Sequence, residues 1–331
     1  MTHQARKRFG QNFLHDTGVI DRIVRSINPQ PGQNLLEIGP GQGAITKPLL
    51  RACGRLQVVE LDRDLIEPLR QACSGLGELI IHSADALRFD FVPLSQEQPL
   101  RLLGNLPYNI STPLMFHLLE QSAWIEDMHF MLQKEVVERM AATPGNKDYG
   151  RLTVMLQARA RVTQLFTIGP GAFSPAPKVD SAFVRLQPHA QPPYPIADLA
   201  DFGRLVAAAF GQRRKTLRNG LKGLLDEEQI RATGVDPQAR AETLGIAEFA
   251  HLSNQLSRQA QRQGADSGTA EQETSPNDHG ARRPPQKMKV ALPLIDPSPQ
   301  PPPGGRGSKR ALRDFHSNRW DAEEHKGRRE E

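Results

Sequence analysis

Between about residues 34 and 187, short β-rich runs alternate with helical ones, which predicts an α/β fold with a mostly parallel sheet and helices on both faces. Two changes of pattern complete the outline. From Leu199 to Gln261 the apolar spacing is helical and strand candidates are absent; from Gln263 on, the chain turns to mixed charge, Pro and Gly with few apolar side chains. The expected layout is an α/β domain over residues 1–190 with a basic N-terminal segment, a small all-α domain over 196–262, and a tail over 263–331. The tail lacks the apolar surface needed to offset its ordering entropy and reads as disordered.

The elements follow in order. Leu35-Leu36-Glu37-Ile38 reads as a strand, the stretch to Cys53 as helix-like, and Leu56 to Glu60 as the next strand. Asp64 to Cys73 reads as helix, Glu78 to Ile81 and Arg101 to Gly104 as strands, Pro113 to Gln121 as helix, and Met128 to Leu132 as strand. Gln164 to Ile168 and Ser181 to Leu186 are placed to form a hairpin that closes the sheet. Beyond Pro192-Pro193-Tyr194-Pro195, short helices are expected over 198–210, 215–225, 227–233 and 247–262.

Composition narrows the function classes. The 331 residues carry 42 Lys+Arg against 37 Asp+Glu, a formal charge of +5 that permits a nucleic-acid partner without requiring one. No run approaches the roughly 18 apolar residues of a membrane span, and the polar opening Met1 to Arg8 carries no apolar segment of a secretory signal. Cys53 and Cys73 cannot build a disulfide framework or a Cys-rich metal site. The ten histidines have no paired spacing for a metal, and no Ser/His/Asp set stands out. A cytoplasmic, reduced protein with no metal and no membrane partner is expected.

The chemistry-bearing runs lie at strand ends. In Glu37-Ile38-Gly39-Pro40-Gly41-Gln42-Gly43-Ala44, the glycines let backbone approach a ligand and the following helix offers free N–H groups. Glu60, 21 positions after Gly39, ends the next strand and is placed to accept hydrogen bonds from ribose hydroxyls. The run also satisfies the looser dinucleotide fingerprint, so NAD and S-adenosylmethionine both remain open on this motif. Asp85, just past the third strand, suits the exocyclic amine of an adenine, although an Asp there also serves as a cap or turn residue.

Asn105-Leu106-Pro107-Tyr108 at the end of the fourth strand is the decisive run. An adenine amine is a poor nucleophile because its lone pair is delocalised into the ring. An amide oxygen from Asn105 and the Leu106 carbonyl can engage its two hydrogens and favour a pyramidal nitrogen. Pro107 stiffens the turn, and Tyr108 offers a face for stacking. With a sulfonium methyl as electrophile the site mainly supplies positioning and electrostatic fit. Phe173, on the Pro-stiffened run Phe173-Ser174-Pro175-Ala176-Pro177, suits clamping a flipped base from the other side. Basic residues cluster at Arg6-Lys7-Arg8 and over Arg213-Arg214-Lys215-Thr216-Leu217-Arg218-Asn219-Gly220-Leu221-Lys222. Local patches of this kind grip a phosphate backbone.

Over about residues 3–262 these runs together resemble the small-subunit (16S) rRNA adenine N6,N6-dimethyltransferases, a family related to the 23S rRNA dimethylases of antibiotic resistance. The likeness also rests on Phe9-Gly10-Gln11-Asn12-Phe13-Leu14, Met131-Leu132-Gln133-Lys134-Glu135 and Pro177-Lys178-Val179-Asp180-Ser181. It implies a class I S-adenosylmethionine-dependent methyltransferase fold, Rossmann-like with a seven-stranded mostly parallel sheet, plus a small all-α C-terminal domain. It implies that Asn12, Leu14, Gly39, Gly41, Glu60, Asp85 and Asn105 line the S-adenosylmethionine site. Asn105, Leu106, Pro107 and Tyr108 would hold the amine with Phe173 on the base, and Arg6, Lys7, Arg8, Arg213, Arg214, Lys215, Arg218 and Lys222 would meet RNA. The expected substrate is a pair of adjacent adenosines in the 3′-terminal hairpin loop of 16S rRNA, within a 30S precursor, acted on by a monomer. The alternatives weighed are a nicotinamide oxidoreductase, an assembly checkpoint acting by binding, a 23S rRNA dimethyltransferase and a DNA adenine methyltransferase.

Overall fold

The computed structural model describes residues 12–95, 98–212 and 214–269, all within one compact unit, with side chains described to residue 261. The expectations for Arg6, Lys7, Arg8, Arg213 and the tail beyond 269 lie outside the described residues. The chain opens with a two-residue strand β1 (Phe13–Leu14) and helix α1 (Thr17–Ile27). Asp16 caps α1 by accepting from the Val19 N–H at 2.9 Å. Strands and helices then alternate: β2 (Leu35–Ile38), α2 (Thr46–Cys53), β3 (Arg55–Glu60), α3 (Arg63–Ala72), β4 (Glu78–Ser83), β5 (Leu100–Asn105), α4 (Ser111–Glu120) and β6 (Ile125–Gln133). Helices α5 (Lys134–Met140) and α6 (Arg151–Gln157) precede β7 (Ala160–Ile168), β8 (Phe173–Ser174) and β9 (Ser181–Pro188).

Seven strands form one sheet in the order β4-β3-β2-β5-β6-β9-β7. The first five are parallel, and β9 pairs antiparallel with both β6 and β7. The expected closing hairpin is present, with its second strand lying inside its first. A parallel sheet buried on both faces needs apolar residues at successive positions. β2 meets this: Leu36 and Ile38 pack into the cluster that holds Leu114, Leu118, Met140 and Leu156 of α4, α5 and α6. Leu35 packs on the other side with Ile23, Leu49 and Leu69 of α1, α2 and α3. From β2 the chain first winds to β3 and β4, then returns to the opposite side through β5 and β6. That reversal between β2 and β5 opens a crevice at the carboxyl ends of the strands, where open α/β sheets hold their ligands.

One buried ionic cluster fixes the far part of the sheet. Arg101 on β5 donates to both carboxylate oxygens of the fully buried Asp127 on β6, at 3.0 and 3.1 Å, and Arg185 on β9 donates to it at 2.9 Å. Burial alone would raise the Asp127 pKa, but the Arg101 hydrogen bond and the surrounding positive charge hold it below the ordinary value.

The C-terminal part is helical: α7 (Leu199–Phe210), α8 (Leu217–Gly220), α9 (Glu227–Ala232) and α10 (Ile246–Thr269). Two expected bounds differ. The helix expected over 215–225 shrinks to α8: Thr216 is extended and bridges Arg240 before it, and beyond it Gly223 takes a positive φ of 87° as the chain turns toward α9. Helix α10 continues past 262, where the composition changes. The helical part also shares its core with the α/β part: Phe202, Leu205 and Phe249 cluster with Tyr149, Val154 and Ala158 around α6.

Candidate active site

A cavity of about 310 Å³ occupies the crevice between β2 and β5. Its floor is the turn after β2. Gly39, Gly41 and Gly43 all take positive φ, of 68°, 56° and 79°, a conformation that side chains with a Cβ resist. The Gly39 N–H is held by the Val59 carbonyl at 2.9 Å, and Gly43 closes the turn on the Pro40 carbonyl at 2.9 Å. Gly41 lies under the Phe13 ring, where an added Cβ would sit 3.3 Å from Cε1.

Two acids line this floor. Glu60 is 6 % exposed and accepts from the Gly41 N–H at 3.2 Å through one oxygen and from the Asp62 N–H at 2.8 Å through the other. Burial dominates its surroundings and raises its pKa despite those hydrogen bonds. Glu37, which the sequence reading quoted only as part of the glycine run, also lines the cavity and is buried. Thr46 donates to it at 2.6 Å, while burial pushes the carboxyl up to about 7. The signal for Glu37 was an acid within a buried strand run of Leu and Ile, running straight into the glycine turn. Asp85 reaches the same cavity from the end of β4, with one oxygen accepting from the Leu87 N–H at 3.0 Å.

The opposite wall is the turn after β5. Asn105, Leu106, Pro107 and Tyr108 all line the cavity. Asn105 Nδ2 donates to the Asn12 carbonyl at 3.0 Å, which fixes the amide so that Oδ1 is its acceptor end. The Leu106 N–H bonds the Met131 carbonyl on β6 at 3.2 Å, and the Ile110 N–H closes the turn on the Pro107 carbonyl at 3.1 Å. Tyr108 is tethered at its hydroxyl, 3.1 Å from the buried Ser181 Oγ at the start of β9. The roof is the N-terminal segment: Asn12, Phe13 and Leu14 line the cavity, and β1 pairs antiparallel with β8.

Phe173 departs from expectation. It pairs with Leu14 across that ribbon, is 4 % exposed, and packs with Phe166 and Phe183 in the core instead of lining the cavity. Its ring follows the apolar side of β8, so in this conformation it presents no face to a base. Of the basic patch, Arg214, Lys215, Arg218 and Lys222 are exposed, but Arg218 is committed to Glu227 at 3.2 Å. Among the described residues no cluster of His, Cys, Asp and Glu could hold a metal ion, and no helix is long and apolar enough to cross a membrane.

The sequence profile of the family described as "Ribosomal RNA adenine dimethylase" matches residues 2–258. The chain belongs to the ribosomal RNA adenine dimethylase family. This membership resolves the choice left open by the glycine run in favour of methyl transfer over hydride transfer. Among curated proteins, this dimethylase is 61 % identical over 256 residues to the ribosomal RNA small subunit methyltransferase A of Pseudomonas aeruginosa, covering 77 % of the chain and 95 % of the relative. It is 58 % identical over 254 residues to the protein of the same name from Marinobacter nauticus, covering 77 % and 92 %. Among solved structures, a dimethyladenosine transferase from Plasmodium falciparum shares the fold at a TM-score of 0.64, with 24 % identity, 75 % of this chain and 98 % of that one covered. The 23S rRNA methyltransferase ErmE aligns at a TM-score of 0.60 with 27 % identity, covering 74 % and 100 %.

Proposed function

We propose that this dimethylase transfers methyl groups from S-adenosylmethionine to N6 of two adjacent adenosines in the 3′-terminal hairpin loop of 16S rRNA, as a monomer acting on a 30S precursor in the cytoplasm. The observation that carries this reading is the meeting of Gly39–Gly43 and Asn105–Tyr108 on two walls of one cavity. The small-subunit substrate is favoured by relatives of that name at 57–61 % identity over nearly their whole length, against 27 % to the 23S enzyme.

The cavity suits the donor on three counts. Its volume lies within the roughly 300–1,000 Å³ of small-ligand sites. The positive-φ glycines let the backbone of the turn approach a ligand at Gly39 and Gly41, and Glu60 oxygens keep lone pairs beyond the two N–H groups they already accept from. When bound, S-adenosylmethionine supplies an electrophilic methyl group. Every other task falls to the chain. Asn12, Leu14, Gly39, Gly41, Glu60, Asp85 and Asn105 would bind the donor. Asn105 Oδ1 and the Leu106 carbonyl would accept from the target amine, localising its lone pair, and Tyr108, held by Ser181, would stack on the base. No strong general base is required, because the nitrogen becomes acidic once it has formed the new bond. Arg214, Lys215 and Lys222, on the helical part, would meet the RNA backbone.

Mass spectrometry of 16S rRNA nucleosides tests this. A strain lacking the chain should lose N6,N6-dimethyladenosine from the small subunit and regain it on complementation. Unchanged 16S rRNA with loss of the nucleoside from 23S rRNA would overturn the substrate assignment.

A further inference from the structure

Gln133, in the run Met131-Leu132-Gln133-Lys134-Glu135, is left without a task by the proposed chemistry. It ends β6 and is the N-cap residue of α5, yet its side chain does not cap that helix. The residue is half-buried, and among the described residues its amide makes no hydrogen bond. Two neighbours place it. On one side, Met131 lies opposite Asn105 in the parallel register of β5 and β6, and its carbonyl accepts from the Leu106 N–H at 3.2 Å. Residues two apart on a strand share a face, so Gln133 lies on the face of Met131, one step further toward the carboxyl end of the sheet. On the other side, Gln133 stands opposite Ser181 of β9. Directly opposed residues hold their Cβ atoms about 4.5–5.5 Å apart, and Ser181 Oγ is the group that tethers the Tyr108 hydroxyl at 3.1 Å. The Lys134 N–H, bonded to the Asp180 carbonyl at 3.0 Å, fixes the next residue to the start of that strand. An amide with a donor end and an acceptor end thus stands unpartnered beside the tether of the stacking ring, and outside the lining of the donor cavity.

We propose that Gln133 is a specificity-determining residue that reads the target base: its Nε2 donates to a ring nitrogen flanking the adenine amine, N1 or N7. The inference rests on the reading of Asn105–Tyr108 as an adenine-N6 site. Dimethylation creates the need for such a contact. In the first transfer the amine has two hydrogens, one for Asn105 Oδ1 and one for the Leu106 carbonyl. Once a methyl group replaces one of them, only one of those acceptors has a hydrogen to bind when the second transfer begins. Stacking on Tyr108 fixes the plane of the base but leaves it free to turn within that plane. A donor to a ring nitrogen stops that rotation, and it persists through the first methylation because N1 and N7 are unchanged. The amide therefore matters most to the second methyl group.

The test uses the full chain, in excess over small subunits purified from a strain lacking it, with N6-methyladenosine and N6,N6-dimethyladenosine followed in time by mass spectrometry. Loss of one hydrogen bond is worth about twofold to tenfold. Gln133→Leu should slow the first transfer by at most about threefold and the second by about tenfold, so that N6-methyladenosine accumulates. Gln133→Glu keeps the length of the side chain but, when ionised, has acceptor atoms alone. It should accumulate the same intermediate, and it carries the test if the leucine variant does not fold. S-adenosylmethionine affinity, read by isothermal titration, should match wild type in both variants, since Gln133 lies outside the donor cavity. A wild-type ratio of the two nucleosides, equal slowing of both transfers, or accumulation that comes with weakened donor binding would overturn the inference alone. No methylation of these subunits by the wild type would overturn the reading of the site and the inference together.

Discussion

Gly104 links the integrity of the sheet to the position of the site. It lies on β5 one residue before Asn105, across from the end of β2, where the two cavity walls leave the sheet. A Cβ built on it falls inside 3.0 Å of the Ile38 carbonyl oxygen, and 3.3 Å from both the Ile38 carbonyl carbon and Leu106 Cδ2. The oxygen is backbone of a central strand, so it cannot rotate away as a side chain would. Overpacking costs about 1–3 kcal/mol in general, and a clash with backbone belongs at the upper end, so Gly104→Ala should lose about 3 kcal/mol in urea unfolding. Relief of the clash pushes the ends of β2 and β5 apart, and with them the turns at Gly39 and Asn105. A misplacement near 1 Å costs about 10²-fold in rate, so methyl transfer to a small-subunit precursor should fall about that much. Gly169→Ala is the control: it has an ordinary φ of −71° and nothing within 4 Å, and should stay within about 0.5 kcal/mol of wild type. If Gly104→Ala matched the control in stability and rate, the close approach of β2 and β5 would not be what positions the site.

Four further outcomes are expected. Asn105→Ala should lower methyl transfer by about 10²–10³-fold, read by nucleoside mass spectrometry, while S-adenosylmethionine binding weakens but stays measurable; full activity would remove the proposed role of the amide. Asp127→Ala leaves the guanidinium groups of Arg101 and Arg185 without their shared partner, and should cost about 3–5 kcal/mol in urea unfolding at pH 7. The exposed pair Arg55–Glu78 at 3.5 Å provides the contrast, and Glu78→Ala should cost less than about 1 kcal/mol. The folded-state pKa of Glu37, raised to about 7 from 4.5 chiefly by burial, makes the folded chain bind more protons across that window. Stability is therefore lost as pH rises through it, and Glu37→Gln should gain on wild type by about 2–3 kcal/mol between pH 5 and pH 8 in paired urea titrations.

The alternation of short apolar strands with helical stretches was legible because parallel strands buried on both faces are nearly continuous in Leu, Ile and Val. Leu35–Ile38 and Leu100–Leu103 are such runs, each broken by one charged residue, and the seven-stranded, mostly parallel sheet is what the family resemblance implied. Helix α1 lies before the first strand that the alternation picks out, and α5 and α6 are seven-residue helices too short for a clear 3.6-residue period. The core that the helical part shares with the residues around α6 was not legible for a different reason. Its closure depends on Tyr149, whose hydroxyl donates to the Leu244 carbonyl at 2.8 Å across 95 residues, and no local pattern announces a partner so far away.

The site divides along the same line. Turns declare themselves locally, so Gly39–Gly43 and Asn105–Tyr108 could be read as ligand loops from their own residue types. What aims them is non-local. The acceptor end of Asn105 is set by a bond to the Asn12 carbonyl 93 residues away, and the Tyr108 ring is set by Ser181, 73 residues away. Phe173 illustrates the converse. Its Pro-stiffened loop is a local signal for an exposed clamp, yet pairing with Leu14 turns the ring into the core beside Phe166 and Phe183. The strand pair that buries Phe173 is also the one that holds Asn12 against Asn105. The ribbon of β1 and β8 therefore has one consistent role in this conformation: it places an aromatic in the core while fixing the amide that is proposed to meet the adenine.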